Sequence, residues 1–113
     1  AGATAFSDYA TVIGYDAGSG NTNTVTIGVN SNTSATKAVA IGNSSAASGE
    51  SSVALGDSSI AKGSNAIAVG KSASVTPKTG YSSFTDGIAI GNNARVEGTS
   101  CQWGTCSWYF CNI

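Results

Sequence analysis

The sequence predicts an all-β solenoid, a parallel β-roll built from coils of 14 residues. Three observations carry that prediction. An aliphatic pair runs into a glycine six times, at Gly14, Gly28, Gly42, Gly56, Gly70 and Gly91. The first five of these markers are 14 residues apart, and the last interval is 21. Between them lies a background of Gly, Ser, Ala, Thr and Asn in which Val and Ile keep fixed positions. Self-similarity at a fixed period is the mark of a repeat architecture and not of an ordinary globular core.

Taken in order, the first coil is loose: residues 10–14 read Ala-Thr-Val-Ile-Gly. Residues 24–28, Thr-Val-Thr-Ile-Gly, fit well. The best coils follow, at residues 38–42 (Ala-Val-Ala-Ile-Gly), 52–56 (Ser-Val-Ala-Leu-Gly), 66–70 (Ala-Ile-Ala-Val-Gly) and 87–91 (Gly-Ile-Ala-Ile-Gly). Large and small residues alternate in each, the period-2 pattern of a strand. A second, weaker strand follows each marker, with Ser45 and Ala47, Ser59 and Ala61, Ala73 and Val75, and Ala94 and Val96 at its inward positions. Gly49, Gly63 and Gly98 close the opposite corner, where a circuit this short calls for φ > 0. Six coils stacked at about 4.8 Å give a rod roughly 30 Å long.

The alternation is read with Val39 and Ile41 facing the interior and Ala40 facing out. On that reading Ala40, Ala54, Ala68 and Ala89, continued by Thr26 and Val12, form a flat outer stripe. Such a thin roll buries little apolar surface on its own, so the stripe is the expected contact for lateral association. Asp57 and Lys71 share one corner column and are expected to pair across one coil spacing.

Composition bounds the function. The 113 residues make one domain, 10% charged, with a net charge of −1. Five scattered basic residues offer no stripe for phosphates, which argues against nucleic-acid binding. No apolar run is long enough to span a bilayer. The absence of Met suggests a processed product or a fragment. No His is present and the six acids share no motif, so neither catalysis nor a cofactor is expected. Cys101, Cys106 and Cys111 cannot complete a zinc set without further ligands. One disulfide and one leftover thiol in an oxidising compartment suit them better.

The pattern Ser/Ala-Val-Ala-Ile-Gly-x-x-Ser-x-Ala-x-Gly, nearly letter for letter over residues 38–70, resembles the head repeat of trimeric autotransporter adhesins, the YadA-like family. Similar repeats occur in phage tail fibres. The resemblance covers roughly residues 10–100 and implies a left-handed roll, three copies of which pack as a homotrimer at a cell or virion surface. After Gly98 the chain departs from that pattern, with no heptad stalk or anchor-like strands.

Three segments follow from this reading: residues 1–9 as an N-terminal cap or joint, 10–100 as the roll with a seven-residue insertion at 80–86, and 101–113 as a Cys- and aromatic-rich tail. Inserts in solenoids map to loops that often bind, which marks Tyr81, Phe84 and Asp86. A solenoid end needs a cap, and aromatics dominate binding hot spots. The tail residues Trp103, Trp108, Tyr109 and Phe110 suit either role. The leading expectation is a non-enzymatic adhesin or fibre module that presents a surface to a cell-surface or extracellular-matrix receptor. A self-assembling structural filament is the second reading. Ice binding through Thr22, Thr24 and Thr26 is the third.

Overall fold

The computed structural model describes residues 2–77 and 86–98. Its strands alternate between two parallel sheets that form the walls of a solenoid. One sheet stacks β1 (Thr4–Ala5), β3 (Gly18–Ser19), β5 (Asn32–Thr33), β7 (Ala46–Ala47), β9 (Ile60–Ala61), β11 (Ser74–Pro77) and β13 (Arg95–Gly98) in that order. The other stacks β2 (Thr11–Ile13), β4 (Val25–Ile27), β6 (Val39–Ile41), β8 (Val53–Leu55), β10 (Ile67–Val69) and β12 (Ile88–Ile90). The expected 14-residue register is therefore the ladder register, with Val39 opposite Val53 and Ala40 opposite Ala54. Strand pairing begins before residue 10: Thr4 and Ala5, in the segment read as an N-terminal cap or joint, pair with Gly18 and Ser19.

The corners repeat every seven residues, half the sequence period. Tyr9, Asp16, Asn23, Asn30, Lys37, Ser44, Ser51, Ser58, Asn65, Ser72, Asp86 and Asn93 all take φ between 55° and 66°. Most stand third in a tight four-residue turn. Ser45 N–H, for instance, donates to Gly42 C=O at 3.2 Å and Ser52 N–H to Gly49 C=O at 3.1 Å. A positive φ at the third turn position is the type II signature, and Asn, Asp and Ser tolerate it better than most residues. The two corner glycines serve different ends. Gly56 has φ 131°, and a Cβ there would lie 2.6 Å from the Gly70 carbonyl oxygen of the next coil. Gly49 has no positive φ, contrary to expectation, but a Cβ on it would collide with the Gly63 carbonyl.

The interior also has a seven-residue rhythm, and it reverses the expected facing of the strands. Ala40, Ala54 and Ala68 have no exposed surface and Ala89 is 3% exposed, so the alanine column lines the inside of the coil. The Val and Ile residues on either side point outward. Wall separation is the reason. Thr26 Oγ1 reaches Thr33 Oγ1 across the interior at 2.8 Å, so the first side-chain atoms of opposite walls already touch. Two rows of Val or Ile could not fit in that gap, whereas Ala, Ser and Thr fill it. The weaker strands face as expected, with Ser45, Ala47, Ser59, Ala61, Ala73, Val75, Ala94 and Val96 buried.

The extra seven residues fall between β11 and β12, where the sequence places them. Ile67 pairs with Ile88, so the chain returns to the sheet it would have reached without the insertion. Asp86 N–H donates to Ser64 C=O at 2.9 Å, and Asn65 Nδ2 donates to Asp86 Oδ1 at 3.2 Å. These bonds close the corner on the far side of the insertion.

Candidate functional site: an outward aliphatic sheet face

Inverting the strands moves the candidate interaction surface from the alanines to their neighbours. The outward side of the β2–β12 sheet carries two columns in strict register. One runs Thr11, Val25, Val39, Val53, Ile67, Ile88, and the other Ile13, Ile27, Ile41, Leu55, Val69, Ile90. Eleven of these twelve positions are aliphatic and none is charged. Ile13, Leu55 and Ile90 expose 57%, 41% and 63% of their surface, and Val25, Ile27, Val39 and Ile41 are half-buried. A contiguous, uncharged apolar face of this kind is a candidate interaction surface. It widens at its N-terminal end, where the adjoining corner holds exposed Tyr15 and Val29.

The opposite sheet differs. Its outward positions in register are Gly18, Asn32, Ala46, Ile60, Ser74 and Arg95, a mixed set in which Ile60 is the one large aliphatic residue and Arg95 is charged. The contrast explains why β12 returns to its own sheet. Inward positions recur every seven residues, so seven extra residues could have been wound in as another half-coil. That would have moved Ile88 and Ile90 to the polar wall. Because β12 pairs with β10 instead, the aliphatic face stays continuous to its last strand.

The sequence-derived candidates divide accordingly. Ala40, Ala54, Ala68 and Ala89 lie inside their own coil and present no outer stripe. Asp86 is exposed at the corner after the insertion. Tyr81, Phe84, Trp103, Trp108, Tyr109 and Phe110 lie outside the described residues, as do Cys101, Cys106 and Cys111. Thr24 and Thr26 are buried, so they cannot belong to the outward threonine array that ice binding requires. Phe6 and Tyr9, in the N-terminal segment read as a cap or joint, are 79% and 83% exposed.

Asp57 and Lys71 share their corner column without forming an ion pair. Among the described residues the ion pair present joins Arg95 Nη2 to Glu97 Oε2 at 2.6 Å, on the polar sheet. No group of His, Cys, Asp and Glu among the described residues could hold a metal ion. No helix among them is long and apolar enough to cross a membrane.

Comparison with known proteins agrees with this geometry. The family described as YadA head domain repeat matches residues 20–45, 47–73 and 85–100, more than half of the chain. Its segments take in β4 to β10 and resume at β12, stepping over the insertion. No curated protein matches the chain.

Proposed function

The chain belongs to the YadA head domain repeat family, whose members form parts of surface-exposed adhesins, and from this premise we propose that it is a non-enzymatic adhesin head module working as a homotrimer. The observation that carries the proposal is the outward aliphatic face. Its two columns are apolar from β4 to β12, and Thr11 on β2 is their one polar member. An isolated copy leaves this face in water. Burying it against two further copies removes apolar area at about 25 cal/mol per Å², stability that the thin interior cannot supply. The polar sheet and the corners then become the outside of the assembly. That outside presents a surface to a cell-surface or extracellular-matrix receptor.

The test is adhesion by the assembled module. Purified protein is immobilised and scored for retention of extracellular-matrix proteins and of cells, beside a Leu55→Asp variant. The proposal expects retention by the native protein and its loss in the variant, through weakened multivalency. Native protein that assembles as a trimer yet retains none of these surfaces would contradict the adhesive role. A second reading, stacking of copies end to end as a filament, draws support from the open ladder edge of β1 and β2. It predicts particles that lengthen with protein concentration.

A further inference from the structure

We infer that the solenoid opens from its N-terminal end, because the polarity of its interior falls steadily from the first closed coil to the last. Four inward positions line each coil. In the coil holding β3 and β4, three of the four are hydroxyl residues, Ser19, Thr24 and Thr26. The β5–β6 coil has two, Ser31 and Thr33, and the β7–β8 coil also has two, Ser45 and Ser52. Ser59 is the only one in the β9–β10 coil, and none stands at the described inward positions of the β11–β12 coil, Ala73, Val75, Gly87 and Ala89.

The chemistry of single columns makes the comparison direct. Thr33 occupies the inward position that Val75 and Val96 take in later coils, isosteric residues with a methyl in place of the hydroxyl. Opposite it stands Thr26 where later coils have Ala40, Ala54, Ala68 and Ala89. The early hydroxyls satisfy one another: Thr26 Oγ1 with Thr33 Oγ1 at 2.8 Å, and Ser19 Oγ with Thr24 Oγ1. Such pairs avoid the penalty of an orphaned buried polar atom. They recover little beyond the water bonds given up, and they replace apolar contact. In a solenoid each coil touches only its neighbours, so stability is a sum of coil and interface terms and a gradient in the coil term sets a direction of unzipping. The first coil adds little at that end, since its inward Ala5 is exposed and its inward Val12 is only half-buried.

Native-state hydrogen exchange on the full chain tests this. The Val25 amide, bonded to Ala38 C=O, and the Asn32 amide, bonded to Ser45 C=O, report on the early coils. The Ile60 amide, bonded to Ala73 C=O, and the Ser74 amide, bonded to Ala94 C=O, report on the late ones. The early pair is expected to exchange through openings at least about tenfold more populated than those exposing the late pair. Thr26→Val combined with Thr33→Val should slow exchange at Val25 and Asn32 several-fold and leave Ile60 and Ser74 unchanged. Equal protection throughout, or equal fraying at both ends, would overturn the inference. So would a double variant that slows all four amides alike. If the double variant does not fold, the gradient in the native protein decides alone.

Discussion

Ser52 shares an inward column with Thr24, Ala38 and Ala66, yet its Oγ is buried without a hydrogen-bond partner. Ser45 and Ser59, on the opposite wall, donate to the Gly42 and Gly56 carbonyls at 3.0 Å. Ser52→Ala is therefore expected to stabilise the coil by about 1 kcal/mol, read as a higher urea midpoint at unchanged slope. Gly56→Ala acts oppositely, because it adds a Cβ 2.6 Å from the Gly70 carbonyl oxygen at a residue with φ 131°. A loss of about 3 kcal/mol is expected. The adjacent positions 54 and 55 separate inside from outside most sharply. Ala54→Leu overpacks the gap between the walls and should cost about 1–3 kcal/mol. Leu55→Asp should leave the coil folded, by far-ultraviolet circular dichroism, while abolishing association.

This pair of neighbours also shows how far the sequence could be read. Alternation of Val, Ala and Ile states that a strand has two unlike faces, but not which one is inside. Large apolar residues are ordinarily the buried ones, and that habit put Ala54 out and Leu55 in. The distance between the walls decides otherwise, and no residue type displays it. A signal was nonetheless present. Ala38, Ser52 and Ala66, two positions before the alanine column, are small as well, and Ser45 and Ala47 are the small pair on the next strand. One parity is small all the way round the coil, as a narrow interior requires. The corner residues at positive φ were less legible still, since Lys37 and Tyr9 break the Asn, Asp and Ser preference that would have revealed the seven-residue rhythm.

At the scale of the element, the coil is two half-coils that share an inward pattern and differ in what they show outside. Removing residues 43–56 takes out one whole coil and joins Gly42 to Asp57 in register. The shortened chain should fold and associate like the original, with slightly lower stability from one fewer coil interface. Removing residues 43–49 keeps every inward position but exchanges the two sheets for all later strands. Val53 and Leu55 would then continue the polar wall, and the aliphatic face would be split between opposite sides. Circular dichroism should remain that of a β-protein while light scattering reports loss of the native assembly. Full association after the seven-residue deletion would show that a continuous face is not what holds copies together. The native insertion before β12 obeys the same rule, leaving Ile88 and Ile90 beside Ile67 and Val69.

The whole molecule is an economical interior wrapped in a surface that is half finished. A narrow stack of Ala, Ser, Thr and a few Val residues closes each coil, and the aliphatic columns outside await a partner, proposed above to be further copies of the chain. Membership of the YadA head domain repeat family and the unbroken register from β4 to β12 point to the same assembly. Its most direct test is the solution mass by light scattering on a sizing column, under reducing and non-reducing conditions. The account predicts a discrete particle of three times the 11.1 kDa chain mass, unchanged by reductant and converted to monomer by Leu55→Asp. A stable monomer of the native chain, with Leu55 and Ile90 left in water, would contradict it.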